Sequence, residues 1–153
     1  MSDDGAPMVI AGCSQRKTAT AIPVPALDLY QGGCIPALRA RAAGQPELLA
    51  RTWIISAEHG LLHAKTLVLP YDRRMDPIRA LALRSQVDHR LEADCRRRGT
   101  PRAVLVIAEP VYQLALTGLY RIVGRDRIRY INDPATAWAG AEAVLDSWSQ
   151  SCP

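Results

Sequence analysis

Reactive side chains in this sequence fall in short polar clusters, each directly behind an apolar run. Behind residues 7–12 come Cys13, Ser14, Arg16 and Lys17, and behind the run that starts at Arg51 come Ser56, Glu58 and His59. Behind residues 103–108 stands Glu109, with Tyr112 three residues on, and behind residues 127–131 stand Asn132 and Asp133. A hydroxyl, a guanidinium and an ammonium within four residues suit an anionic group, phosphate above all. A carboxylate facing a reacting carbon, with a proton donor beside it, suits cleavage or transfer at an N-glycosidic bond. The carboxylate offsets the charge of an oxocarbenium-like transition state, and the acid serves the departing base. Glu58 or Glu109 fits the first role, and His59, Tyr71 or Asp72 the second. Cys13 is a candidate nucleophile, although a thiol between glycine and a polar turn is more often inert.

Each of these residues also has a plain structural use. Asp133 before Pro134 reads as a helix cap, Ser14 as the end of a turn, and His59 as a satisfied, partly buried histidine. Lys17 stands out by type: of 19 Lys and Arg residues, only Lys17 and Lys65 are lysine. The net charge of +4 favours an anionic ligand, with a nucleic-acid backbone as the alternative partner. In that alternative Arg96, Arg97, Arg98, Arg102, Arg127 and Arg129 would meet the phosphates. The run 96–98 also complements the end of a helix dipole.

The elements that must position these groups alternate between strand and helix. Residues 7–13, 51–57 and 103–108 read as buried strands, and 127–131 alternates as an edge or half-exposed strand would. Residues 26–43 read as a helix broken by Gly32-Gly33 and Pro36. Residues 58–75 read as an irregular loop of active-site type. Asp76-Pro77 opens a helix that runs to Gly99, with Leu83, Val87, Leu91 and Cys95 on its buried stripe. A short helix follows from Pro110 to Tyr120, and a last one opens at Asp133-Pro134 with Ala137, Trp138, Ala141, Val144, Leu145 and Trp148 inward. The expectation is a single three-layer α/β domain over 1–153, with 1–6 disordered and a small, mostly parallel sheet between helices. In such sheets ligands bind beyond the carboxyl ends of the strands, where all four polar clusters lie.

Several classes are set aside. No G-x-G-x-x-G or P-loop occurs, so dinucleotide oxidoreductases and P-loop NTPases are poor fits, and no cofactor is expected. Cys13, Cys34, Cys95 and Cys152 are scattered without metal-binding spacing, which predicts free thiols and no metal site. No apolar run approaches the roughly 20 residues of a membrane span, and residues 1–7 lack the features of a secretory signal. A cytoplasmic protein with no membrane partner is expected.

The order of the motifs resembles the YaaA-like proteins, the peroxide-stress family and its shorter relatives of unknown function. The matching positions are Ser14 and Lys17 after the first strand, Ser56, Gly60 and Leu61 after the second, then Pro70 and Tyr71. Ala26, Leu29 and Tyr30 are similar to an element of the short relatives. Cys13, Ser14, Arg16, Tyr30, Ser56 and Gly60 are the candidate substrate-binding residues, and the resemblance implies a stress-response role linked to nucleic acid. The DNA-binding hairpin of the larger members has no room here, and Glu58-His59 departs from the family pattern. The expected function is an enzyme acting on a nucleoside, nucleotide or related phosphorylated small molecule. The alternatives are a non-catalytic nucleic-acid-binding protein and a biosynthetic enzyme acting on a non-nucleotide metabolite.

Overall fold

A computed structural model describes residues 4–134 and 136–150. The first described element is a two-residue strand, β1 (Asp4–Gly5), followed by β2 (Met8–Gly12), whose first four residues are buried. After a loop, β3 (Val24–Pro25) leads into α1 (Ala26–Leu29), α2 (Ile35–Ala42) and α3 (Pro46–Ala50). The break between α1 and α2 falls at Gly32-Gly33 as the sequence predicts, with Gly33 at φ 61° and Pro36 in the first turn of α2. Then come β4 (Thr52–Ser56), β5 (Gly60–His63) and β6 (Leu67–Val68).

Residues 58–75 are therefore not a plain loop. β5 folds back antiparallel on β4, from Ser56 opposite Gly60 to Trp53 opposite His63, and β6 pairs with β3. Four residues give too short a window for alternation to register, and the turn at 57–59 lacks the Asn-Gly or Asp-Gly signature of a tight hairpin.

The long helix α4 (Pro77–Arg98) begins where the sequence places it. The Asp76 carboxylate accepts from Arg79 N at 2.7 Å, Pro77 takes the first position, and Gly99 at φ 83° ends it. Leu83, Val87 and Leu91 are buried, but the stripe ends on Asp94 rather than on the half-buried Cys95. Next come β7 (Thr100–Pro101), paired with β1, and β8 (Val104–Ile107), all of it buried. The expected helix from Pro110 to Tyr120 is instead α5 (Pro110–Gln113), a 3-10 turn at Leu114–Leu116 and α6 (Leu119–Ile122), divided at Gly118. After β9 (Ile128–Ile131), the last helix, α7 (Trp138–Gln150), starts about four residues later than Asp133-Pro134 suggests. Asp133 accepts from the Thr136 hydroxyl and closes a turn instead of capping the helix. Cys152 lies outside the described residues; Cys34 is buried, and Cys13 and Cys95 are half-buried free thiols.

The main sheet has the order β5-β4-β2-β8-β9, parallel except for β5. Strand alternation divides the core between its two faces. Met8, Ile10, Ile55, Val104 and Val106 pack against α4 and the segment 115–123. Val9, Ala11, Ile54, Leu105 and Ile107 pack against α1, α2 and α7. The fold is a single α/β domain with helices on both faces of a mostly parallel sheet. Among the described residues, no helix is long and apolar enough to cross a membrane.

From β2 the chain moves to β4 and β5 on one side, and α4 then carries it back to β8 and β9 on the other. The strand order thus reverses between β2 and β8. The carboxyl ends of those two strands frame the crevice where open α/β sheets hold their ligands.

Candidate functional site

That crevice is a cleft of about 430 Å³, lined by Cys13, Ser14 and Arg16 from the loop after β2 and by Glu109 and Tyr112 after β8. Gly32, Gly33, Arg74 and Pro134 complete its rim. Cys13 leaves the sheet through a bond from its N–H to Ile55 O, which leaves the thiol half-buried with its sulfur 3.3 Å from the Tyr112 hydroxyl. Ser14 is committed to its own loop: it donates to Arg16 O at 2.9 Å and accepts from Gly32 N at 3.0 Å. A Cβ at Gly32 would come within 2.9 Å of Ser14 Cβ, so this close approach requires glycine. Gln15, with its amide oxygen turned toward Arg74, accepts from Arg74 Nε and Nη2 at 3.1 and 3.0 Å. That contact draws a second guanidinium to the cleft beside Arg16.

Glu58, His59 and Tyr71 line a neighbouring groove of about 610 Å³, together with Pro23, Leu67 and Arg90. Arg79 fixes the turn that carries them by donating to Ala57 O and Glu58 O at 2.7 and 2.8 Å. Glu58 pairs with Arg73 at 3.6 Å, and the exposed His59 stands edge-on to Tyr71, ring centroids 5.3 Å apart. Gly60 starts β5 at φ 73°, with Gln86 packed where a Cβ would be. Asp72 is exposed and lines neither cavity.

A cluster of hydroxyls extends inward from Tyr71 of this second groove. Tyr71 lies 2.6 Å from both Ser56 Oγ and the Tyr30 hydroxyl, and Ser56 Oγ accepts from Glu58 N and His59 N at 3.2 and 3.1 Å. Lys17 bridges to Tyr30 through the backbone, and its ammonium lies 4.5 Å from the Tyr71 ring centroid and 5.9 Å from that of Tyr30. It steadies the aromatic pair from above. Burial pushes the Tyr30 phenol up to about 12, partly offset by the Tyr71 hydroxyl, and the Cys13 thiol adds to the rise. Burial also raises Tyr71 and Tyr112, again with Cys13 contributing. All three phenols therefore stay protonated at neutral pH and act as hydrogen-bond donors.

The sequence candidates thus fall into three groups. Cys13, Ser14, Arg16 and Glu109 meet in the first cleft; Glu58, His59 and Tyr71 meet in the second; Tyr30 and Ser56 join Tyr71 in the hydroxyl cluster, with Lys17 over its rings. Arg74, Gln15 and the Gly32-Gly33 pair, which also line the first cleft, carry no functional signal in the sequence. The glycine pair reads simply as a helix break, and Arg74 belongs to an arginine-rich chain in which one more cation gives no signal. A further cavity of about 530 Å³ at the opposite end of the sheet is lined by Pro46, Leu48, Leu145 and Trp148, with Glu47 and Arg102 as its charged members. It has no convergent set of reactive groups.

Fold and cleft together define an α/β protein with a polar cleft at the switch point of its sheet. Residues 8–126 match the family of unknown function DUF6884, and the chain belongs to that family. This match overturns the resemblance to the YaaA-like proteins, which no family match accompanies; the shared strand-end serines and lysine are too short a pattern to assign membership. No curated protein and no solved structure matches the chain.

Proposed function

We propose that this protein is an enzyme acting on a nucleoside, nucleotide or related phosphorylated small molecule bound at the switch-point cleft, with N-glycosidic cleavage or transfer as its reaction. The observation that carries this reading is the meeting of Arg16, Arg74, Glu109, Tyr112 and Cys13 around one cleft of about 430 Å³. That volume suits a ligand of nucleotide size. Arg16 and Arg74 supply the anion contacts. Glu109, exposed at the end of β8, supplies the carboxylate for a cationic sugar carbon, a role for which Glu58 is displaced into the next groove and tied to Arg73. Tyr112 supplies a proton donor beside Glu109.

The test is incubation with a panel of nucleosides and their mono-, di- and triphosphates, with free bases followed by mass spectrometry. Glu109→Gln is expected to slow base release by about 10²–10⁴-fold, the range for loss of an acid–base or charge-stabilising side chain. No base from any member, and no nucleotide that raises the melting temperature, would refute the nucleotide reading. A second reading rests on Arg102, Arg127 and Arg129, which line one groove at the β9 edge. It makes the protein a nucleic-acid binder, whose affinity must fall steeply with salt as counterions are released.

A further inference from the structure

The arginines of this chain differ in what holds them. Arg39, Arg41, Arg51, Arg73, Arg98 and Arg121 each pair with an aspartate or glutamate. Arg16 and Arg74 are exposed on the lining of the switch-point cleft, and among the described residues neither pairs with a carboxylate. Arg74 is held by Gln15, whose amide oxygen accepts from Nε and Nη2 at 3.1 and 3.0 Å. Those two nitrogens form one edge of the guanidinium fork. The other edge, Nη1 and the second proton of Nη2, has no partner among the described residues. A neutral acceptor aims a cation and leaves its charge intact, whereas a carboxylate aims it and cancels the charge. Arg16 is fixed through its backbone: the Ser14 hydroxyl and Gln31 N–H donate to Arg16 O at 2.9 and 2.8 Å. The Lys17 ammonium donates to Gln15 O at 3.4 Å and ties down the residue between them. Glu109 lines the same cleft and quenches neither cation.

We propose that Gln15 is a positioning residue that presents the open edge of Arg74, beside Arg16, to a terminal phosphate, so that the ligand of this cleft is a phosphate monoester and not a free nucleoside. A monoester carries nearly two negative charges at neutral pH and three acceptor oxygens. Two guanidiniums that keep their full charge match that pair of charges, and a free fork edge matches two of the oxygens. Glutamine at position 15 is the side chain that can grip Arg74 without competing with the ligand for it. The inference rests on the proposed function for placing the ligand in this cleft, and it narrows that reading to phosphorylated substrates.

The experiment is a calorimetric titration with inorganic phosphate at pH 7.5 and low ionic strength. The native protein runs against Gln15→Glu, Arg74→Ala and Arg73→Ala, with the phosphate-free melting temperature of each recorded. Gln15→Glu is decisive because it keeps the shape and the contact with Arg74 and turns that contact into a salt bridge. Its melting temperature should equal or exceed the native one, while its phosphate affinity falls about tenfold or more, as does that of Arg74→Ala. Arg73→Ala removes the same charge one residue away, from the neighbouring groove, and should change the affinity by no more than about twofold. A glutamine that only ties two loops together would give Gln15→Glu the native affinity. That result, the absence of saturable phosphate binding by the native protein, or equal losses in Arg73→Ala and Arg74→Ala would each overturn the proposal. Adenosine and its monophosphate, tested in the same way and for base release, separate this inference from the reading beneath it. A preference for the monophosphate that Gln15→Glu abolishes supports both. Base release from adenosine as fast as from the monophosphate overturns the phosphate seat and leaves the glycosidic reading standing. Phosphate binding that depends on Gln15, with neither adenosine compound bound, leaves the seat standing and removes the nucleotide.

Discussion

Arg51 takes a full positive charge into the interior at 1% exposure and meets Asp94 at 5%. Its guanidinium donates to Asp94 Oδ2 at 3.3 Å, to Ala6 O at 2.7 Å and to Gly99 O at 2.5 Å, joining the lead into β2 to the end of α4. Charges this deep persist when each is paired and hydrogen-bonded, and removal of one partner leaves the other stranded. Asp94→Ala is therefore expected to lower unfolding free energy by about 3 kcal/mol, read from urea denaturation. Arg98, 3.4 Å from the other Asp94 oxygen, cannot compensate, because it loses the same carboxylate. Gly60 presents the opposite case, a residue chosen for what it lacks. At φ 73° and with Gln86 against it, Gly60→Ala combines backbone strain with a clash. A loss of about 1–3 kcal/mol is expected by the same measurement. Neither role is legible along the chain. Arg51 reads as the polar first residue of a strand, and the partner that gives it meaning lies 43 positions away.

Elements with local punctuation are the ones the sequence announces. Asp76-Pro77 and Gly99 bound α4 because a cap, a proline and a left-handed glycine act within one turn of the backbone they terminate. Asp76→Ala should accordingly cost about 1 kcal/mol in thermal or urea unfolding, with the fold unchanged. The same punctuation misleads at Asp133-Pro134, where the Asp133 carboxylate is taken by the Thr136 hydroxyl and the helix starts at Trp138. It is silent at β5, whose identity comes from pairing with β4 rather than from its own four residues. The candidate site was legible to the extent that it hangs on strand ends: Cys13, Ser14, Arg16 and Glu109 follow β2 and β8 directly. It was illegible where loops distant in sequence converge. Glu58 and Glu109 look equivalent in a list of strand ends, and only the sheet order, with β2 and β8 adjacent and the β4–β5 turn to one side, separates them.

At the scale of the whole molecule, the two-faced core sets the stability and also its dependence on pH. Helices cover both faces of the sheet, so titratable groups caught between layers are shielded from water, and their charged forms are disfavoured. Cys34 lies in the layer beneath α2 with its thiol raised to about 11 from an ordinary value of 9.0, and Tyr30 lies in the same layer with its phenol raised to about 12 from 10.0. Both groups lose a proton to become anions, and both bind that proton more tightly in the folded chain than in the unfolded one. Their contribution is therefore complete below the unfolded values and is lost as pH climbs toward the folded ones. Stability should hold level to about pH 9, decline from there as the unfolded thiol releases its proton, and decline more steeply above about pH 10 when the phenol joins. Each linked proton contributes a slope of about 1.4 kcal/mol per pH unit. Urea midpoints measured between pH 7 and 11 would record this, and Cys34→Ala should flatten the first part of the fall while leaving the part above pH 10. A profile that is flat through pH 11 would mean that water reaches this layer and that burial does not hold the two protons.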